Sequence, residues 1–343
     1  MSQENLENRM PWAYLDHNIL SLFVNNPNHE LKQYILERFQ VVYSDETLKE
    51  IERSKGFEEK FLDVLESLDG VYLELQLTEK FRITDKVKWF RTSPRAVLKF
   101  KEENKETDLP GIVDSMSKFG LKMAGGLKGE TFDSIFENQK ESFSKLLVLI
   151  NSLGQMDELK EIGIDFQTLT EGMRIQYKEV SEGLERSFKE QIPDQSNFRG
   201  PKEYREKINL GPRKLNNIKG PGVIWKIWEA LSEVPEFKAS GLTIDGFFGM
   251  DKNPIFPDEK QTVYGKVIGL YSILNSLGYY PDSNREKEDR FISSNSDSIH
   301  AAMGVFCNAT FTMDDAFSKK IQAIYEFLEI GNAVHFCEQK KAV

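Results

Sequence analysis

Two short apolar runs near opposite ends of the chain constrain its fold more than any other feature. Trp12 to Leu15 runs straight into Asp16, His17 and Asn18, and Ala309 to Thr312 runs into Met313, Asp314 and Asp315. Such a run, broken by a polar cluster, reads as a buried strand with functional groups at its carboxyl end. Around the first run, helices are expected from about Asn18 to Phe23 and from Glu30 to Phe39. Val41 to Tyr43 then reads as a second β-rich run, and Gly70 to Leu77 as a third strand. Ser44 or Asp45 can cap the intervening helix, which carries Thr47, Leu48, Glu50 and Ile51. The same grammar returns late in the chain. Asp297 to Phe306 and Lys319 to Leu328 read as helices, and Asn332 to Phe336 as a last strand. The ends, residues 10–104 and 286–343, are therefore expected to close into one α/β unit. In open parallel sheets, sites form beyond the carboxyl ends of the strands, the place that Asp16 and Asp314 occupy on this reading.

The middle, residues 105–285, has mainly helical patterning and is expected to be an insertion. Ser142 to Leu153 and Val263 to Leu277 are its clearest apolar helices, and Phe198 to Gly222, rich in Gly, Pro and basic residues, is loop-like in part. Trp225 and Trp228, three apart on an expected helix, read as core. Gly125 to Gly129 lacks the spacing and the Lys-Ser/Thr end of a phosphate-binding loop and reads as a turn.

Composition narrows the function classes. Hydrophobic residues make up 39% of the 343, enough for a sizeable core. No apolar run approaches the roughly 20 residues of a membrane-spanning helix, and the polar, acidic start does not resemble a secretory signal. A cytoplasmic location is expected. Cys307 and Cys337 are the only cysteines, and no Cys/His cluster has zinc spacing. A net charge of −10 argues against coating nucleic acid through overall charge, though not against an enzyme with a local basic track.

Four acidic phrases carry the candidate chemistry: Leu15-Asp16-His17-Asn18, Thr47-Leu48-Lys49-Glu50-Ile51, Asp297-Ser298-Ile299-His300 and Thr312-Met313-Asp314-Asp315. In order and context they resemble the PIN-like nuclease superfamily. That pattern has an Asp after the first strand with Asn two places on, an acidic residue in the helix after strand two, an Asp opening a later helix, and Thr-x-Asp after the next strand. Asp16, Glu50, Asp297 and Asp314 match these positions in turn. The resemblance covers residues 10–75 and 290–337. It implies a three-layer α/β/α fold with a central parallel sheet, and a Mg²⁺- or Mn²⁺-dependent nuclease, RNase rather than DNase, of toxin, phage-defence or RNA-processing type. It also implies a homo-oligomer or a protein regulator as partner.

The chemistry agrees with that pattern. Cutting a phosphodiester needs an activated water and neutralisation of charge in the transition state, which hard cations on oxygen ligands supply. Clustered carboxylates repel one another without a cation. Asp16 and Asp297 are expected as direct ligands, Glu50 and Asp314 as ligands directly or through water. Glu46 rivals Glu50, and Asp315 stands beside Asp314 as an accessory. Asn18 is an expected orienter of water or phosphate, and Ser294 to Ser296 are expected to cap the Asp297 helix and hydrogen-bond a carboxylate. His17 and His300 flank the proposed ligands and are candidates for proton transfer, but His300, one helical turn after Asp297, is expected rather to pack or hydrogen-bond.

Two basic stretches are candidate nucleic-acid contacts: Lys80 to Lys101, with Lys86, Lys88, Arg91 and Arg95 among interleaved aromatics including Phe81 and Trp89, and Arg199 to Lys219, with Arg213 and Lys214. The plain alternative for each is a solvated face. Two other functions compete. One is a weakly active scaffold whose helical middle binds a protein. The other is a phosphatase of the haloacid-dehalogenase kind, which needs a second Asp where this chain has Asn18.

Overall fold

The computed structural model describes residues 10–78, 82–103, 111–155, 165–192, 195–250 and 260–338. Lys80 and Phe81 lie outside them. By contacts the chain divides into two units, Met1–Glu103 with Arg205–Asp282 and Ile292–Val343, and Asn104–Tyr204 with Ser283–Phe291. The boundaries fall elsewhere than the sequence suggests. Residues 205–282, expected in the insertion, belong with the α/β unit because their apolar helices cover one face of its sheet.

Elements appear in the order β1 (Trp12–Leu15), α1 (His17–Asn25), α2 (Glu30–Arg38), β2 (Gln40–Tyr43), α3 (Asp45–Arg53), α4 (Glu58–Ser67), β3 (Val71–Leu77), β4 (Ile83–Phe90) and α5 (Pro94–Glu103). The second unit contributes α6 (Ile112–Met123), α7 (Phe132–Leu153) and α8 (Phe166–Gln191). Then follow α9 (Pro201–Lys207), α10 (Pro212–Leu215), α11 (Val223–Ser232), α12 (Pro235–Ser240), α13 (Ile244–Phe247), α14 (Val263–Leu277), α15 (Glu288–Gly304), β5 (Ala309–Thr312), α16 (Asp315–Phe327) and β6 (Ala333–Phe336).

The sheet order is β4-β3-β2-β1-β5-β6. Neighbours run parallel except β3 and β4, so the sheet is mixed rather than wholly parallel. Strand β4 is the one the sequence reading missed. Its lysines made it look like a charged track, yet Lys on an edge strand is how sheets discourage further pairing. Register places Val42 beside Val71 and Tyr43 beside Tyr72, so β3 runs on past the end of β2, and the β3–β4 ribbon overhangs the carboxyl edge of the sheet. Asp85 ties that ribbon to α14 by accepting the Val263 N–H at 2.7 Å.

Alternation along the strands sorts side chains to two cores, one on each face. Ala13, Leu15, Val41, Tyr43, Tyr72 and Phe311 face one core with α1, α3 and α4. Tyr14, Val42, Val71 and Leu73 face the other, with α11, α14, α15 and α16. This is a three-layer α/β/α arrangement. Helix α14 matches its expected bounds: Thr262 caps its start by accepting from Gly265 N at 3.1 Å, and Gly278, with φ of 95°, ends it in the left-handed region. On α11, Trp228 packs against the core, whereas Trp225 is 51% exposed rather than interior.

The second unit has its own core, built on ring contacts among Phe119, Phe132, Phe136 and Phe188. Its expected helix over 142–153 is the end of the longer α7. Lys122 is fully buried there, its ammonium donating to the Leu127 carbonyl at 3.2 Å.

Candidate functional site: an acidic centre at the carboxyl edge of the sheet

Asp16 follows β1 at the N-cap position of α1, but its carboxylate makes no cap bond. It turns to β5 instead, accepting from the Thr312 hydroxyl at 2.6 Å and from the Asn18 amide. That removes the plain reading of Asp16 as a helix cap. Asn18 is a clamp. Its amide nitrogen also reaches Thr312 at 3.2 Å, and its oxygen accepts the Met313 N–H at 2.9 Å. The loops after β1 and β5 are thereby locked together, and with them Asp16 and Asp314.

Burial pushes the Asp16 carboxyl up to about 6, with His300 and the Thr312 hydrogen bond opposing, and Glu50 and Asp314 adding to the rise. Asp297, half-buried on α15, is raised well above the carboxylate range, first by burial and then by the charges of Asp16 and Asp282. Among the described residues nothing hydrogen-bonds to the Asp297 carboxylate. The four residues singled out from sequence thus gather around Asp16 within electrostatic reach. Asp314 is exposed and caps α16, accepting from Phe317 N at 2.8 Å, while Asp315 pairs with Lys319 at 3.9 Å.

Glu50 is more committed than expected. Its carboxylate is 2.9 Å from His300 Nε2, accepts from Ser296 at 3.1 Å, and lies 3.6 Å from Arg53 and 3.7 Å from His17. Burial, the largest influence, would raise its pKa, but His300, His17 and the Ser296 hydrogen bond together outweigh it and draw it down to about 2. Glu46, the rival, is buried deeper and takes the Ser296 hydroxyl at 2.6 Å. Ser296 therefore binds carboxylates as expected, but it does not cap a helix, and Asp297 does not open one, because α15 already begins at Glu288.

Three residues that sequence reasoning did not single out complete the centre. Tyr14 hydrogen-bonds Ser44 at 2.7 Å and His300 Nδ1 at 2.7 Å. Lys320 is fully buried, paired with Asp282, bonded to Asn275 at 3.1 Å and set over the Tyr271 ring. Asp282 also accepts from Ser294 at 2.6 Å and from Asn275 at 2.8 Å. Burial lowers the Lys320 pKa, while Asp282, Asp297 and Asp314 raise it, so its charge belongs to the same electrostatic field. A signal was present: Lys320 falls between Phe317 and Ile324, three back and four on, on the apolar face of an amphipathic helix.

The basic candidates separate. Arg91 is matched by Asp69 at 2.8 Å, and Arg95 by Glu59, Asp63 and Glu66. Lys86 and Lys88 are exposed on the overhanging ribbon. Arg213 and Lys214 are exposed on α10, and Lys214 donates to Asn209 O at 2.7 Å.

Among the described residues, no group of three or more His, Cys, Asp and Glu side chains is arranged to hold a metal ion by itself. The described helices include none long and apolar enough to cross a membrane. No family model, no curated protein and no solved structure matches this chain.

Proposed function

We propose that the acidic centre binds Mg²⁺ or Mn²⁺ and that the protein is a PIN-like, metal-dependent endoribonuclease. The observation that carries this is the Asp16–Asp297 pair. Two carboxylates in poor solvent, each raised by burial and Asp297 further raised by Asp16, are costly to keep ionised unless a cation shares their field. Their donors are hard oxygens, the kind that suits Mg²⁺, which holds one or two carboxylates and keeps several waters. A three-residue protein cage is not needed for such an ion. Asp16 and Asp297 are the direct ligands on this reading, with Glu50 and Asp314 acting through water or through charge.

A bound Mg²⁺ or Mn²⁺ would lower the pKa of water and offset charge on the phosphoryl oxygens. The chain's own residues do the rest. Thr312 and Asn18 orient Asp16, and the His300–Tyr14 pair holds Glu50. Buried Lys320, paired with Asp282, lies in the electrostatic field of Asp297. The overhanging ribbon with Lys86 and Lys88 offers the polyanion an approach that the acidic centre itself would repel.

The test is cleavage of labelled single-stranded RNA by the wild type, Asp16→Asn and Asp297→Asn in Mn²⁺ or Mg²⁺, with EDTA as control. Cleavage should require the metal and be lost in both variants. Equal cleavage by all three would remove the site, and single-stranded DNA cut faster than RNA would overturn the substrate preference.

A further inference from the structure

A cavity of about 510 Å³ opens in the α/β unit between the loop before α11, the turn after α14 and the outer face of α16. That volume is in the range of small-ligand pockets. Its walls include Lys219, Tyr279, Tyr280, Lys319, Gln322 and Glu326. It adjoins the acidic centre along one helix. Asp315 opens α16, Lys319 lies about 6 Å further along the axis and Glu326 about 16 Å along it, at 1.5 Å per residue.

The walls are built rather than incidental. The Tyr279 and Tyr280 rings stand 5.0 Å apart, edge to face at 84°. Tyr280 holds a left-handed backbone with φ of 42°, unusual for a bulky side chain, and its N–H is fixed by the Asn216 side chain at 2.8 Å. Glu326 is anchored by the Gly222 N–H at 2.9 Å, and a carboxylate holding one such bond keeps further acceptor capacity. Burial, reinforced by Tyr280, Asp315 and Glu326, pushes the Tyr279 hydroxyl up to about 12, so it stays a neutral donor. An aromatic face at Tyr280, two lysines and a fixed carboxylate are the parts that a nucleotide needs: a stacking surface, phosphate contacts and a group that reads N–H donors on a base edge. The exposed Lys319–Asp315 pair, at 3.9 Å, is loose enough for a phosphate to compete for the lysine.

We propose that this cavity binds one nucleotide of the RNA strand beside the acidic centre, with the base against the Tyr280 ring that the buried Tyr279 backs, its edge on Glu326 and Gln322, and the flanking phosphates on Lys219 and Lys319. Guanine fits best, because its edge offers two adjacent N–H groups to one carboxylate. The strand context rests on the nuclease reading, but binding of a free nucleotide does not.

Isothermal titration of the full chain with GMP and with UMP, in EDTA, tests the cavity without any metal. GMP should bind roughly tenfold more tightly than UMP, a difference of about 1.4 kcal/mol. Glu326→Gln should bring the two affinities close together, and Lys319→Gln should weaken both several-fold. In Mn²⁺, Lys319→Gln should raise KM for RNA more than it lowers kcat. GMP binding without any RNA cleavage would keep the cavity and sink the nuclease. RNA cleavage with equal KM in wild type and both variants, and no GMP binding at millimolar concentration, would sink the cavity and keep the nuclease.

Discussion

His300 Nε2 stands 2.9 Å from Glu50 Oε2, although 250 residues separate them in the chain. The other imidazole nitrogen reaches the Tyr14 hydroxyl at 2.7 Å, so a buried ring has both its polar atoms engaged. Burial by itself would lower the His300 pKa. The Glu50 carboxylate, helped by Asp16, outweighs it and holds the pKa at about 9. An ion pair thus ties α3 to α15 across the carboxyl edge of β1.

This pair sets a pH window. The His300 contribution to stability is full below its ordinary value of 6.5 and is lost as pH rises through about 9. The Glu50 contribution is full above 4.5 and is lost as pH falls toward about 2. Stability from the pair should therefore peak between those ordinary values. The loss at high pH should be on the order of 3 kcal/mol. Thermal unfolding of wild type and His300→Gln from pH 6 to pH 10, in EDTA, checks this. The wild-type Tm should fall faster with pH, and identical slopes would refute the assignment.

Asp297 makes the opposite prediction. Its carboxyl is raised by burial and by Asp16, so its ionised form is a cost to the metal-free protein at neutral pH and above. Asp297→Asn should stabilise the protein in EDTA at pH 8. It should also abolish any rise in Tm on adding Mn²⁺. Destabilisation by the substitution in EDTA would show that Asp297 is a structural acceptor.

Lys320 and Asp282 form a buried ion pair. Removing one partner leaves the other charge without compensation, so Lys320→Met should cost about 3–5 kcal/mol in urea unfolding. Adding Asp282→Asn should restore much of that loss, because the orphaned charge is gone. If the double variant is no more stable than Lys320→Met alone, the Lys320 stem rather than its charge is what matters.

The two pairs of basic residues should behave differently toward RNA. Lys86→Gln with Lys88→Gln should flatten the salt dependence of binding by a slope of about 1.4, from about 0.7 per single-strand contact. Arg91→Gln with Arg95→Gln should leave the slope unchanged, since those guanidiniums are held by Asp69, Glu59, Asp63 and Glu66. Fluorescence anisotropy at several salt concentrations reads both, and a flattened slope in the second pair alone would reverse their roles.

Much of the strand grammar was legible along the chain. Four-residue apolar runs such as Trp12–Leu15 and Ala309–Thr312 emerge as strands with those bounds, because burial on both faces demands continuous apolar sequence. Strand β4 escaped notice because an edge strand is patterned by solvent as much as by core, and its lysines overrode its alternation. The assignment of residues 205–282 escaped for a different reason. An apolar helix face shows that it must be covered, not by what.

The sequence by itself determined that acidic residues follow the strands at both ends of the chain, because strand ends are short-range properties, and a family resemblance singled out Asp16, Glu50, Asp297 and Asp314 among them, with Glu46 a rival to Glu50. Only the tertiary structure decided how each carboxylate is engaged: Asp16 clamped by Thr312 and Asn18, Glu50 committed to His300, Asp314 capping a helix, and Asp297 half-buried beside a lysine that pairs with Asp282. Hydrogen-bond partners hundreds of residues apart, and the desolvation that shifts a carboxyl, come from packing, which no local stretch of sequence encodes.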